Sequence, residues 1–366
     1  MPPVQRHALA LTTVAVLAAV AVALPRPQAP PTFAGTIAQL SEPGGYFDTN
    51  NLISNERSYL HVIPALREAG MTGGVYLGVG PDQNFSYIAH ARPSIAFIID
   101  IRRDNLLLHL LFKALFRLSA SRAQYLGALF GRPAPEPAGR WRDEDIDRIV
   151  SYLAGAAASP AAADAIRARV DDAIEGFGVP LSESDRATID RFHRTFIERG
   201  LGLRFESTGR PPRSYYPTYR ELLLETDRSG RQWNYLASEP GFQFVKSLQD
   251  RDLVVPVVGD LAGRTAMPAI ARYVKERGLR LSVFYTSNVE YYLANAGAFE
   301  RFAANLARFP RTGKTLIVRS VFPNRFGGTP TAAGYYSASV VQRADDLLDG
   351  IAAGRIRGYQ DLVGGR

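Results

Sequence analysis

The chain has 366 residues, a formal net charge of +8, 46% hydrophobic residues and no cysteine. Without thiols there are no disulfides and no cysteine-ligated zinc, so a sizeable hydrophobic core must hold the fold. Basic residues are interspersed with acids and form no run of five or six, which argues against a nucleic-acid partner and fits an acidic ligand or an anionic lipid surface better.

Residues 1–23 read as a signal peptide or membrane anchor. Arg6 precedes an uncharged run over residues 8–24, and Ala21-Val22-Ala23 supplies the small residues of a cleavage site. The run lies at the short edge of what spans a bilayer, so residues 8–24 are also the candidate membrane anchor. Either way the bulk of the chain is expected to be exported, to the periplasm, the cell envelope or the medium. Pro25, Pro27, Pro30 and Pro31 then open a stiff linker, read over residues 24–45.

Residues 54–69 predict a broken or late-starting helix, because Pro64 is badly placed for a helix interior, with Gly70 as its end. Residues 75–79 and 95–101 are short apolar runs without clean alternation, the pattern of strands buried on both faces of a parallel sheet. One helix-length connection lies between them. Residues 105–118 are apolar on nearly all sides and too short to cross a membrane, which predicts a buried helix. The alanine-rich stretch 154–168 is poor in large side chains. Ser182 and Asp185 form a capping pair before a helix with Ile189, Phe192, Phe196 and Ile197 on one face, stopped by Gly200.

Residues 253–260 give a third strand, in which Pro256 suggests a bulge or pairing on one side only. A helix over 265–277 closed by Gly278, a strand at 281–286, a helix carrying Phe299, Phe302 and Leu306, and a strand at 315–322 follow. Alternating strands and helices predict an α/β fold with a doubly wound, mainly parallel sheet and a helical insertion after the second strand.

Gly78-Val79-Gly80 at the end of the first strand has the form of a turn that lets backbone approach a ligand at a helix N-terminus. Asp100 ends the next strand, 20 residues beyond Gly80, where nucleotide-binding folds hold a ribose diol. A third glycine is missing, and the alternative is a tight corner with no ligand. Arg102 and Arg103 offer a further alternative, contact with the 2'-phosphate of a nicotinamide cofactor, against a plain solvated strand exit. His61, His90, His109 and His193 have no paired metal-ligand spacing, and no Gly-x-Ser-x-Gly elbow or Walker loop occurs. The polar cluster Tyr285, Thr286, Ser287, Asn288 and Glu290 follows a buried strand where α/β proteins bind ligands. Its members either line a site or cap the next helix.

Four stretches carry a resemblance: Tyr76 to Asn84, Phe97 to Asn105, Pro256 to Gly263 and Phe284 to Leu293. Together they resemble an uncharacterised bacterial family that is itself similar to the Rossmann-type S-adenosylmethionine-dependent methyltransferases. The likeness covers most of the chain from Ser54 onward, and with the element pattern it gives a Rossmann-like domain over residues 46–118 and 240–366 and a mostly helical insertion over 119–239. It implies S-adenosylmethionine as cofactor, with Gly78 and Gly80 under its methionine end, Asp82 and Asn84 at the helix entrance, Asp100 on the ribose and Asp260 facing the adenine. Tyr285, Thr286, Ser287, Asn288 and Glu290 would lie on the substrate side, with a small molecule as partner. The sequence departs from those methyltransferases in carrying Tyr76 and Leu77 where an acid usually stands. The alternative is a non-catalytic envelope protein, ligand-binding or scaffolding, on the same fold.

Overall fold

The computed structural model describes residues 31–157, 159–210, 213–322 and 331–364. Met1–Pro31 and Thr32–Arg366 are separate units, and the expected leader lies outside the described residues. No helix among the described residues is long and apolar enough to cross a membrane.

The fold is α/β, built on one six-stranded sheet in the order β3-β2-β1-β4-β5-β6. Its strands are β1 (Val75–Gly78), β2 (Ile95–Asp100), β3 (Val254–Val258), β4 (Leu281–Ser287), β5 (Arg311–Val321) and β6 (Ala338–Arg343). The first five run parallel, and β6 pairs antiparallel with β5. All of β1 is buried, as is β2 up to Ile99, which is why these runs lack alternation. Strand order reverses between β1 and β4. β3 is an edge strand paired within the sheet only to β2, so Pro256, opposite Ile98, sits where proline is tolerated. β5 begins four residues ahead of the expected strand, through an exposed and polar stretch that gave no apolar signal. β6, half exposed, was not anticipated at all.

The stretch read as linker becomes helical at α1 (Phe33–Leu40). Thr32 caps it by accepting from Gly35 N, and Phe33, Ile37 and Leu40 are buried, an i, i+4, i+7 stripe that packs against β3. A 3-10 turn at Arg57–Val62 runs into α2 (Ile63–Glu68) with Pro64 in its first turn, where no helical bond is lost. Helix α3 (Gln83–Ala91) joins β1 to β2. α4 (Arg103–Leu118) is buried from Asn105 to Phe116 and packs on β2 and β3.

The interval after β2 is helical as expected: α5 (Arg122–Leu129), α6 (Ile146–Gly155), α7 (Pro160–Glu175), α8 (Glu183–Arg199), α9 (Tyr219–Leu223) and α10 (Glu239–Asp250). Ser182 and Asp185 form the capping box of α8, which buries Ile189, Phe192 and Phe196. Arg103 reaches across to this cap, giving Asp185 two bonds of 2.8 Å, and holds its carboxyl down at about 2. In the alanine-rich α7 only Ala163, Val170 and Ile174 are buried. α11 (Ala266–Glu276) links β3 to β4. α12 (Val289–Asn295) and α13 (Phe299–Ala307) link β4 to β5. α10 packs against α3 and α4, and α11 packs against α1 and α13.

Gly78 is glycine for an internal reason. A Cβ there would collide with Asn84 Oδ1 and stand 2.7 Å from the Tyr76 ring. Gly80 is glycine because its φ is +82°, which a side chain rarely tolerates. Gly78→Ala is therefore expected to overpack the turn and destabilise the protein by about 1–3 kcal/mol, read as a lowered melting temperature. An unchanged melt would show that Tyr76 and Asn84 can move aside.

Candidate functional site

The carboxyl ends of the parallel strands open into one cavity of about 500 Å³, within the usual size of small-molecule sites. Each of the five parallel strands leads residues to its wall: Val79 and Gly80 after β1, Asp100 at the end of β2, Gly259 and Asp260 after β3, Ser287 at the end of β4, and Phe322 after β5. The stretch from Phe205 to Arg210 closes another side, with Arg213, Tyr215 and Tyr216 beside it. It is held to the chain before β1 by a bridge between Thr49 and Ser207, by Thr208 N donating to Asp48 O at 2.7 Å, and by the Arg210–Asp48 ion pair. Helices α6, α7 and α8 contribute no lining residue.

Of the cofactor residues expected from sequence, Gly80, Asp100 and Asp260 line the cavity; Gly78, Asp82 and Asn84 do not. Asn84 is fully buried behind the turn. Its Nδ2 donates to the carbonyls of Val79 (2.8 Å), Pro81 (2.7 Å) and Gly80 (3.3 Å), and its Oδ1 accepts from Tyr76 OH at 2.7 Å. His109 Nε2 meets the same Gly80 carbonyl at 2.9 Å, and burial lowers the ring to about 4, so it is neutral and donates there near pH 7. Asn84 thus shapes the turn and does not bind at its mouth.

Asp82 points into a buried group of tyrosines. Tyr219 OH donates to its Oδ2 at 2.5 Å, and burial pushes its carboxyl up to about 6 despite that bond.

Asp100 is at the wall, but Arg102 folds back on it. Oδ1 accepts from Arg102 N (2.9 Å) and Nε (3.1 Å), and Oδ2 from Nη2 (2.9 Å), while Nη1 reaches Thr49 O. A carboxylate accepts about four hydrogen bonds, so one position remains for a ligand. Arg102 and Arg103 are therefore engaged with Asp100 and Asp185 and are not a plain solvated strand exit. Asp260 Oδ1 accepts from Ala262 N at 2.9 Å, a turn role, while the residue also lines the cavity.

On the other side, Ser287 and Asn288 line the cavity, whereas Tyr285, Thr286 and Glu290 lie behind it. Thr286 gives its hydroxyl to Val318 O, and Glu290 forms a buried pair with Arg319 on β5, Nε to Oε2 at 2.6 Å. Neither caps α12. Between Tyr285 and Ser287 the β4–β5 register slips, and Ser287 takes a φ of +53°, a costly conformation for a serine at the rim of a site.

That distortion brings Ser287 to Glu56, which sequence reasoning passed over. Glu56 is 1% exposed, lines the cavity, and accepts from Ser287 Oγ and from Tyr285 OH at 2.5 Å. Gln83 Nε2 supports Tyr285 OH at 3.1 Å. Among the described residues no cation pairs with Glu56, and burial raises its pKa. Raised carboxyls in clefts are functional candidates. The only sequence signal was a glutamate in an irregular segment, which no spacing rule singles out. The described residues hold no cluster of side chains suited to a metal.

The folded protein holds the Asp82 proton more tightly than the unfolded chain. The protonated carboxyl thus contributes stability fully below 3.8, and that contribution is lost as pH rises through about 6. Asp82→Asn is expected to remove this dependence. Relative to wild type it should gain up to about 3 kcal/mol between pH 3.5 and 7.5, measured by denaturant unfolding across that range. A constant difference at all pH values would show that Asp82 is not held protonated.

No curated protein matches the chain. A family model does, over residues 51–133 and 204–359, and it is described as Domain of unknown function (DUF7790). The matched segments hold all the strands and every cavity-lining residue except Phe47, Asp48 and Thr49, while the unmatched interval contains α6, α7 and α8. With well over half its length matched, the chain belongs to the DUF7790 family.

Proposed function

We propose that the chain is a methyltransferase-like protein on a Rossmann-like fold, binding S-adenosylmethionine at the carboxyl ends of its strands. The observation that carries this reading is that Gly80, Asp100, Asp260 and Ser287, from four strand ends, meet in one cavity at the point where strand order reverses. Open α/β sheets bind ligands at that point.

Features of the wall fit an adenosyl cofactor. A Cβ on Gly80 would find only Gln83 Nε2 at 3.5 Å and Asn51 Nδ2 at 4.0 Å, so the backbone is open to close approach. Gln83 Oε1 and Thr49 Oγ1 are buried polar atoms of the lining without a partner among the described residues. Gln83 Oε1 would accept from the ammonium of the methionine end, in place of the acid that this sequence lacks at Tyr76 and Leu77. Asp100 Oδ2 would take one ribose hydroxyl, and Asp260 would face the base. When bound, the cofactor supplies an electrophilic methyl group on sulfonium. Glu56 is the group placed to accept a proton released by a substrate at the cavity wall.

The Arg102–Asp100 clamp favours a second reading, a non-catalytic ligand-binding protein on the same fold, since it occupies most of the ribose acceptor. Calorimetric titration of S-adenosylmethionine and S-adenosylhomocysteine separates the two. Binding to wild type is expected, weakened about 5- to 150-fold by Asp100→Ala, as for loss of a charged hydrogen bond of about 1–3 kcal/mol. Absence of heat and of any melting shift at millimolar ligand would leave the ligand-binding reading. Binding unchanged in Asp100→Ala would reassign the ribose partner.

We further propose export, through residues 1–23. A reporter active only outside the cytoplasm, fused after Arg366, is expected to give signal that deletion of residues 1–23 abolishes. A silent full-length fusion would overturn export and leave the cofactor reading intact.

A further inference from the structure

Among the described residues the exposed large hydrophobics are Tyr46, Tyr215 and Tyr292. Tyr215 and Tyr292 line the cavity, and Tyr46 precedes another lining residue, Phe47. Tyr292 and Tyr215 belong to two aromatic groups on the wall. Phe47 packs edge-on against Tyr292 at 4.9 Å, while Tyr215 stacks on Tyr336 at 3.8 Å between centroids. Exposed aromatic surface gathered at one cleft marks a ligand site, since such surface is otherwise scattered. The aromatic faces suit a ring, which gains from stacking beyond the area it buries.

The polar part of the lining narrows the ligand further. Two of its arginines are paired, Arg102 with Asp100 and Arg210 with Asp48. The other two, Arg213 and Arg301, are matched in number by Glu56 and Asp260, so the lining carries no net formal charge and favours a neutral ligand. Glu56 receives hydroxyl donors from Tyr285 and Ser287, and an ionised carboxylate retains capacity for more.

We infer that the aromatic part of the cavity binds a neutral planar ring bearing a hydroxyl, a phenol-class ligand, with Glu56 as the acceptor of its hydroxyl proton. This deepens the methyltransferase reading by naming its substrate class, but the binding site stands without the cofactor.

The test uses 4-nitrophenol, whose absorbance distinguishes phenol from phenolate, titrated into the full chain with no adenosyl compound present. Failure here is thereby read separately from failure of cofactor binding. Wild type is expected to bind the neutral probe at least about tenfold more tightly than its anion, because a carboxylate accepts from O–H and repels O⁻. Glu56→Gln, folded by its melting curve, should bring that preference close to one. Tyr292→Ala, at an exposed position, should weaken binding about 2- to 12-fold, and 4-nitroanisole, lacking the O–H, should bind less tightly than the phenol. A pH preference unchanged in Glu56→Gln would overturn the role of Glu56. If Glu56→Gln does not fold, equal binding of 4-nitroanisole and 4-nitrophenol by wild type decides against it instead. No binding by folded wild type, or tighter binding of methyl glucoside than of the phenol, would overturn the ligand class.

Discussion

The site depends on one buried amide. Three successive carbonyls, of Val79, Gly80 and Pro81, turn away from the sheet at the end of β1 with no strand left to receive them. Unpaired buried carbonyls are costly, and Asn84 Nδ2 reaches all three while Tyr76 OH orients its other end. His109 adds a second donor to Gly80 O from α4. The turn is thereby fixed from behind, leaving the outer side of Gly80 open to the cavity. This arrangement also explains why Gly78 and Gly80 are glycines on different grounds: the first makes room for Asn84, while the second adopts a positive φ.

A second constraint is the placement of carboxylates. Five acids lie near the strand ends, and their surroundings give them different work. Asp100 is neutralised by a forked arginine, the geometry in which guanidinium and carboxylate bind best. Glu290 is matched by Arg319 below the floor. Asp82 is held among tyrosine hydroxyls and pushed upward by burial. Asp260 is partly spent on its own turn. Only Glu56 combines burial, hydroxyl donors and a face on the cavity without a cation among the described residues, and β4 accepts a bulge and a left-handed serine to meet it. Strain retained at such a point is more readily explained by binding than by stability.

The sheet was legible because its signal is local. Residues buried on both faces must be apolar, so β1 to β4 stood out as short runs, and of the two readings Pro256 allowed, a bulge or one-sided pairing, β3 shows the second. The capping box at Ser182 and Asp185 was readable for the same reason, its two partners being three residues apart. β6 and the first part of β5 were hidden because half-exposed edge strands carry mixed side chains. The site was read only in part. Asp100 and Ser287 could be placed at strand ends from sequence, but the direction of a side chain there depends on distant partners. Tyr219 claims Asp82 across 137 positions, and Glu56 meets Tyr285 across 229. Spacing rules cannot see such pairings.

The leading segment shows how far the site's support extends. Glu42, beyond α1, places its carboxylate on the N–H groups of Asp260 (2.8 Å), Ala266 (3.1 Å) and Thr265 (3.2 Å). It therefore does at the start of α11 what the N-cap residue Thr265 does not, and its charge suits that end of the helix. Ser41 and Glu42 also bond to Val258 at the end of β3, and Gly45 N to Ile101 O. This segment lies before the first residue of the family match, yet it fixes the loop that carries Asp260 into the cavity. The family segment thus supplies the strand ends, and residues that precede it help set the geometry of the cavity that those ends line.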